Sequence, residues 1–295
     1  MQPTHSSSTS HYPVFTDLFQ GRDVKPLFRL HRLLERLPEA TPFRPLLERR
    51  YEKEFAENRS ANLFRGIFSS FAEAQASIPV KRSAGYNNST AASLYLDRAQ
   101  RVFPSDYPVM FWLDKLIAPS RCRILDLGGH VGVSYYAYRN YLDYPEQLRW
   151  IVHDVPAVME RGKKIAKEKD NAKQLGFCDR FEDCGSPDIL FSIGTLQYLP
   201  DTLPERLATL ERLPQHLLLS LLPIHMSESF YTLQSIGPSY CPYRIFARDG
   251  FIQGFESLGY SLVDWWECPE KNCIIPFHPR RSLDRYFGFL FSLVP

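Results

Sequence analysis

Residues 123–136, with the sequence RILDLGGHVGVSYY, constrain the fold of this chain more than any other stretch. An apolar run of strand length leads into Asp126, Gly128, Gly129 and Gly132, and an aromatic run then predicts the start of a helix. A strand, a glycine-rich turn and a helix form the geometry that brings bare backbone close to a nucleotide-like ligand. Glycine suits such a turn because it has no side chain and tolerates positive φ.

The chain beyond residue 123 predicts a mostly parallel sheet, because apolar runs alternate with helix-like segments at regular intervals. The predicted strands are 123–127, 148–153, 174–178, 188–193, 216–222, 261–267 and 286–293. The predicted helices are 133–141, 157–169, 203–212 and 249–258, and Gly259 suits the C-cap of the last one. The connection 226–246 shows no clear period and is interpreted as a lid or binding loop.

The residues before this region predict three further features. Residues 1–16 lack the apolar core of a signal peptide and are interpreted as a disordered tail. Residues 17–105 form a predicted mostly helical cap region, with helices around 29–37, 46–59, 71–73 and 90–102. Ser70 suits the N-cap of the third helix, and Ser89 or Thr90 that of the fourth. Residues 106–295, which begin with a helix at 109–117, form the predicted ligand-binding domain.

Composition narrows the classes of function. The 295 residues include 35 basic and 33 acidic residues, a net charge of +2, which argues against nucleic-acid binding as the main function. No apolar run approaches the roughly 20 residues of a membrane span. The six cysteines form no CxxC pair and no metal-ligand spacing, so we expect reduced thiols in a cytoplasmic protein that holds no metal.

The glycine turn does not match the dinucleotide fingerprint G-x-G-x-x-G, because His130 and Val133 occupy its second and third glycine positions. The pattern present is acid-x-G-x-x-x-G, with Asp126 two residues before Gly128. That spacing suits a ligand without a pyrophosphate, for which an acidic side chain is needed near a cation or a hydroxyl.

Polar residues follow the next predicted strands, at the edge where ligands bind in an open α/β sheet. Asp154 lies 22 residues beyond Gly132, where a carboxylate can accept ribose hydroxyls, and it could equally cap the helix that begins at Pro156. Asp179 and Phe181 could border an adenine ring, although a polar surface loop explains them as well.

The last two predicted strands of this edge add residues for an acceptor. Gln197 and Tyr198 follow the fourth strand, and His225 follows the fifth. A histidine at that place could act as a general base near neutral pH or be an ordinary surface residue, and His130 and His153 compete for the role.

Three segments carry a family resemblance. ILDLGGHVG, IVHDVPAVME and DILFSIGTLQYLPD resemble the first, second and fourth-strand motifs of class I S-adenosylmethionine-dependent methyltransferases, from about residue 108 to the C-terminus. Segments such as FRGIFSSFAEA, GYNNSTAASLY and TLQSIGPSYCPYRIF extend the resemblance to a bacterial methyltransferase family associated with surface-polysaccharide gene clusters.

The resemblance implies a Rossmann-like seven-stranded sheet with helices on both faces, S-adenosylmethionine as cofactor, and O-methylation of a sugar or other small-molecule hydroxyl in surface-polysaccharide biosynthesis. The cofactor-binding residues it suggests are Asp126, Gly128, Gly129, His130, Gly132, Asp154, Val155, Asp179, Phe181, Ser192 and Gly194. The suggested acceptor-binding residues are Tyr86, Gln197, Tyr198, Arg244 and Arg280. The suggested catalytic residues are His225, His130 and Gln197.

Two other classes of function stay open. One is an NAD-dependent sugar-modifying enzyme, against which the failed fingerprint and the lack of a Tyr-x-x-x-Lys pair count. The other is a catalytically silent methyltransferase-like protein that serves as a partner for another enzyme. The aromatic N-terminal region could form a homodimer contact.

Overall fold

The computed structural model describes residues 43–59, 62–79, 83–85, 99, 101–237 and 239–294. The predicted tail 1–16, the helix around 29–37 and nearly all of the helix 90–102 lie outside the described residues. The helices are α1 (Arg44–Glu57), α2 (Phe71–Ala76), α3 (Asp106–Leu116), α4 (Val133–Tyr138), α5 (Pro156–Lys169), α6 (Leu203–Leu207) and α7 (Arg248–Glu256). The strands are β1 (Leu63–Phe68), β2 (Ser83–Ala84), β3 (Arg123–Leu127), β4 (Arg149–His153), β5 (Leu175–Phe177), β6 (Ile189–Ile193), β7 (His216–Leu222), β8 (Ile224–His225), β9 (Phe230–Ser235), β10 (Ser239–Ala247), β11 (Tyr260–Cys268) and β12 (Tyr286–Leu293).

The main sheet has seven strands in the order β5-β4-β3-β6-β7-β12-β11. The first five strands are parallel, whereas β12 runs antiparallel to both β7 and β11. From β3 the chain first builds outward through β4 and β5 and then returns to add β6 on the other side. This reversal places a ligand crevice at the carboxyl ends of β3 and β6. The predicted seven-stranded Rossmann-like sheet is confirmed.

Helices cover both faces of this sheet, because its strands are apolar on both sides. On one face, α3 and α4 pack through Val109, Leu113 and Tyr138 against Trp150 and Phe191, all of them buried. On the other face, α6 and α7 pack against the strands with the side chains of Leu203, Leu207, Phe251 and Phe255. The sheet is therefore packed against a helical layer on each face, through two separate apolar cores.

Local signals fix several helix ends. The Ser70 side chain accepts a hydrogen bond from Glu73 N at 3.1 Å, which confirms the predicted N-cap of α2. Thr202 and Glu205 form a reciprocal capping box at the start of α6. Gly259 adopts φ +90° just after α7, as a C-cap glycine should. The helices α4 and α6 are shorter than predicted and end at Tyr138 and Leu207.

A second sheet is the main feature that the sequence did not predict. Its order is β1-β9-β10-β2, and β8 also pairs with β10. The connection 226–246, interpreted as a lid or loop, instead supplies β9 and β10, which pair in antiparallel register. The described part of the predicted helical region 17–105 likewise contains the strands β1 and β2 besides α1 and α2. Eight of the nine residues of β10 are buried, so no alternation of polar and apolar residues marks it as a strand.

The cysteines differ in part from the expectation of reduced thiols. Cys178 and Cys184 are paired as a disulfide across a short loop after β5. Cys122, Cys241, Cys268 and Cys273 are free and buried. Among the described residues, no helix is long and apolar enough to cross a membrane.

Gly288 in β12 offers a test of the packing between the edge strands. A Cβ at this position would overlap the buried indole of Trp266 on β11. We expect Gly288→Ala to lower the free energy of unfolding by about 1–3 kcal/mol, as overpacking does. Gly250, which is exposed in α7 with open space around it, is the control, and Gly250→Ala should raise stability by about 0.5–1 kcal/mol. Chemical denaturation of the two variants measures both effects, and equal stabilities would contradict this account.

Candidate ligand site

A cavity of about 700 Å³ lies at the carboxyl ends of the central strands. The last residues of β3, β4 and β6, which are Leu127, His153 and Ile193, form its floor. The second sheet forms the opposite wall through Phe64, Gln234, Cys241, Pro242 and Tyr243. The volume is within the range of sites for small molecules and cofactors, about 300–1,000 Å³.

The glycine turn forms one end of the cavity, and each glycine is required by space or by conformation. Gly128 has φ +77°, and a Cβ there would overlap the side chain of Thr195. A Cβ on Gly129 would overlap the carboxylate of Asp126. His130, which stands where related turns use glycine, adopts φ +56°. Its backbone therefore keeps the left-handed conformation that glycine would have, at a cost that the surrounding contacts must offset.

Asp154 holds this turn from the neighbouring strand. Its Oδ2 accepts a hydrogen bond from the backbone N–H of His130 at 2.9 Å, and its Oδ1 accepts one from Val155 N at 2.6 Å. Val155 is the N-cap of α5, and no side chain caps that helix, so the alternative role of Asp154 as the helix cap is wrong. Burial raises the pKa of Asp154, while the two N–H groups oppose the rise.

Asp126 is a second carboxylate of the cavity wall and is almost fully buried. Its Oδ2 accepts a hydrogen bond from Trp150 Nε1 at 2.9 Å. Burial raises the pKa of Asp126 to about 7, a rise that the Trp150 bond opposes and the charge of Asp154 reinforces. The group is therefore poised to change its charge near neutral pH.

The predicted adenine region is only partly at the cavity. Asp179 lines it, is exposed, and pairs with Lys163 at 2.8 Å. Phe181 does not line it, because the ring is buried in the apolar core that also contains Leu125 and Leu127 of β3. The prediction that Phe181 borders an adenine is therefore wrong.

The far end of the cavity is built from amides and tyrosines. Gln197 and Tyr198 form a short 3-10 helix after β6, and both line the cavity as predicted for an acceptor site. The Tyr198 hydroxyl donates to Gln234 Oε1 at 2.8 Å, and its ring contacts that of Tyr243 with centroids 5.1 Å apart. The hydroxyls of Tyr243 and Tyr286 are 2.7 Å apart, and burial raises the pKa of both, so they stay protonated.

Three predicted catalytic or acceptor-binding residues lie outside the cavity. His225 Nε2 is 3.0 Å from the Arg280 carbonyl, and its Nδ1 accepts the N–H groups of Ser227 and Glu228, so it is occupied as a structural residue. Arg244 is buried, where it donates to the Tyr231 hydroxyl and the Pro200 carbonyl. Arg280 is exposed and is absent from the lining. These three predictions are wrong in geometry.

Two predicted cofactor residues act from behind the wall. Ser192 is buried and donates to the Leu127 carbonyl at 2.9 Å, which joins β6 to β3. Gly132 starts α4 with φ +90° and packs against Leu175. Of the remaining predicted cofactor residues, Val155 and Gly194 line the cavity together with Asp126, Gly128, Gly129, His130, Asp154 and Asp179. Tyr86 lies outside the described residues.

Sequence reasoning missed other residues of the lining. Asp106, at the start of α3, accepts a hydrogen bond from the Tyr138 hydroxyl at 2.7 Å, and both residues line the cavity. Gln234 and Tyr243 come from the second sheet. The basic residues Arg101, Arg206 and Lys271 line the cavity in place of the predicted Arg244 and Arg280. The available signal for Asp106 was an acidic residue just before the predicted helix 109–117, where a carboxylate suits the start of a helix.

Comparisons with known proteins give a limited likeness. No protein-family model matches the chain, and no curated protein matches it. Among solved structures, magnesium protoporphyrin IX methyltransferase from Synechocystis PCC 6803 with bound SAH is 11% identical and has a TM-score of 0.44, and the match covers 71% of this chain and 89% of that chain. The CcbJ methyltransferase from Streptomyces caelestis is 15% identical with a TM-score of 0.41, and the match covers 65% of this chain and 91% of that one. The 1,6-didemethyltoxoflavin-N1-methyltransferase of Burkholderia thailandensis is 14% identical with a TM-score of 0.43, over 65% and 79% of the two chains.

At these TM-scores and identities, the likeness assigns neither a cofactor nor a substrate to this chain. Both have to be argued from the geometry of the site.

The raised pKa of Asp126 leads to a prediction about stability. A carboxyl group whose pKa is about 7 in the folded protein and about 4 in the unfolded chain stabilises the fold below pH 4. This contribution is lost as the pH rises through 7. Asp126→Asn keeps an acceptor for Trp150 and cannot ionise, so its stability relative to the wild type should increase between pH 4 and 7 and level off above pH 8. Urea denaturation at several pH values measures this, and a constant difference would contradict the buried-carboxyl account.

Proposed function

We propose that this chain binds S-adenosylmethionine and transfers its methyl group to the hydroxyl of a small-molecule or saccharide acceptor. The observation that carries the proposal is the hydrogen bond between the backbone of the glycine turn and Asp154 at one end of the cavity. It presents bare backbone and a carboxylate side by side, as a nucleoside with an unphosphorylated ribose requires.

The residues of the cavity suit such a cofactor in charge as well as in shape. Asp126, Asp154 and Asp179 line one end, where a sulfonium and an ammonium group would be neutralised. Asp154 would hold the ribose hydroxyls, and the turn at 128–130 would contact the amino-acid part. No Cβ fits at Gly128 or Gly129, so the turn offers no side chain at these two positions.

The cofactor would supply an electrophilic methyl group, which a nucleophilic acceptor oxygen can attack. The chain must then align that oxygen with the methyl group and accept a proton. Gln197 and Tyr198 line the part of the cavity away from the acidic end and would position the acceptor. Of the predicted catalytic histidines, His130 lines the cavity, so we propose it in place of His225. Cys241 also lines it, but burial raises its pKa to about 12, which excludes a thiolate nucleophile.

The biological setting is proposed from the sequence resemblance. Its segments point to an acceptor from surface-polysaccharide biosynthesis in the cytoplasm. An NAD-dependent enzyme and a catalytically silent partner protein are the competing functions. Cofactor binding separates the first from the proposal, and release of S-adenosylhomocysteine separates the second.

Calorimetry with S-adenosylmethionine and with NADH is the first test. We expect micromolar binding of S-adenosylmethionine and none of NADH. Asp154→Asn should weaken the binding at least tenfold, because the amide nitrogen that replaces one carboxylate oxygen is a donor and accepts no hydrogen bond from a backbone N–H or a ribose hydroxyl. Asp114→Asn, which changes an exposed carboxylate of α3, is the matched control and should bind normally. Binding of NADH alone would refute the proposal.

The affinity should also depend on pH through Asp126. A cationic cofactor prefers the ionised carboxylate, so with a pKa of about 7 in the free protein, affinity should rise as the pH increases. If only the ionised form binds, the increase from pH 6 to pH 8 is about tenfold. In Asp126→Asn this part of the pH dependence should vanish. An identical pH profile in the variant and the wild type would show that Asp126 does not face the cofactor.

A further inference from the structure

The Gln197 side chain is an unusual buried group. It is 3% exposed and lines the cavity, yet its Oε1 is shielded from solvent and has no hydrogen-bond partner among the described residues. A buried acceptor without a partner costs roughly 1–3 kcal/mol. Folded proteins rarely keep such a group unless a ligand completes it.

A second buried amide, that of Gln234 on β9, lines the same cavity. It is 6% exposed, and its Oε1 accepts the hydroxyl of Tyr198, the residue next to Gln197. Because the Gln234 oxygen accepts the Tyr198 hydroxyl, the Nε2 hydrogens are the part of this amide that can bind a ligand. Among the described residues, Nε2 makes no hydrogen bond. One amide therefore offers an acceptor and the other offers donors, and Tyr198 links the two.

The rings next to Tyr198 at this pair are aromatic and uncharged. The Tyr243 ring contacts Tyr198 on one side and Phe64 on another, with centroids 5.1 and 5.2 Å away. Tyr286 bonds to the Tyr243 hydroxyl, and burial keeps both phenols neutral. A charged group placed between these rings would lose its hydration and gain no counter-ion from them.

We propose that Gln197 and Gln234 together recognise the methyl-accepting hydroxyl of an uncharged acceptor. In the bound acceptor the hydroxyl donates to Gln197 Oε1, which rotation of the terminal amide presents to the cavity, and accepts from Gln234 Nε2, while the tyrosines contact its carbon skeleton. The proton that the hydroxyl loses on methylation goes to His130, the proposed base. A hydroxyl suits the pair because it both donates and accepts one hydrogen bond. This inference rests on the proposed methyltransferase function and adds the class of acceptor. It assigns acceptor choice to the second sheet together with the segment after β6.

The first test needs no acceptor and compares two buried glutamines. Gln174 is also buried, but its Nε2 donates to the carbonyls of Pro145 and Glu146, so its amide is satisfied. Gln174→Leu should therefore lower the melting temperature. Gln197→Leu removes an unsatisfied amide and should raise it by roughly 2–4 °C. A fall in the Gln197→Leu variant similar to that of Gln174→Leu would show a structural amide and overturn the proposal.

The second test uses two sets of hydroxyl probes, with released S-adenosylhomocysteine as the readout and S-adenosylmethionine as donor. The sugar set is methyl α-D-glucoside and methyl α-D-mannoside against glucuronate and glucosamine. The phenol set is methyl 4-hydroxybenzoate against 4-hydroxybenzoate. We expect turnover in the uncharged members of one set, which identifies the source of the hydroxyl. Turnover confined to charged members, or no turnover in either set, would overturn the proposal.

The variants connect the pair to the acceptor. Gln197→Leu and Gln234→Glu should each lower kcat/KM for the active probe at least tenfold, as the loss of one hydrogen bond predicts. Gln234→Glu still accepts the Tyr198 hydroxyl but no longer donates. Their affinity for S-adenosylmethionine should equal that of the wild type, and Gln174→Leu should turn over normally. Unchanged kcat/KM with normal cofactor binding contradicts this inference alone, whereas a wild type that binds no S-adenosylmethionine contradicts the proposed function.

Discussion

The hydrogen bond from the His130 backbone to Asp154 is the contact on which the site depends. It joins the turn after β3 to the end of β4, so that two neighbouring strand ends become one surface. Because Asp154 also accepts the N–H of Val155, the start of α5 is fixed to the same carboxylate. One half-buried carboxyl group thereby sets the relative position of a turn, a strand and a helix. Its loss would leave the left-handed backbone of His130 without the contact that offsets its cost.

The sequence predicted the parts of this arrangement that local patterns encode. The strands β3, β4, β6, β7 and β12 lie within one residue of their predicted ends, because a buried strand is a short apolar run bounded by turn residues. The glycine turn could be predicted because its geometry requires glycine: a Cβ at Gly128 or Gly129 has no room. His130 departs from the glycine pattern in residue type only. Its positive φ gives the backbone the conformation that a glycine would have, so the turn keeps its shape.

What the sequence did not reveal depends on long-range pairing. In β9 and β10 nearly every side chain is buried on both faces, so the alternation that identifies a strand is missing. Gln234 and Tyr243 could therefore not be placed at the cavity. Arg244 was suggested as an acceptor-binding residue, but its position on β10 directs the guanidinium to the Tyr231 hydroxyl and the Pro200 carbonyl. His225 was misplaced for a similar reason, since the position of a loop side chain depends on contacts with residue 280.

The two ends of the cavity differ in charge, and this difference bears on how a cofactor and an acceptor would bind together. Carboxylates line the end at the glycine turn, whereas amides and neutral tyrosines line the part between the second sheet and the segment after β6. The basic side chains Arg101, Arg206 and Lys271 also belong to the lining. A cation bound at the first end gains from those charges, while a carboxylate at the second end would compete with the acceptor for it. Neutral amides avoid that competition and still orient a hydroxyl. The acceptor end is shared between the second sheet, which supplies Gln234 and Tyr243, and the segment after β6, which supplies Gln197. A substitution on β9 or β10 can therefore alter the acceptor contacts while the glycine turn on the main sheet stays unchanged.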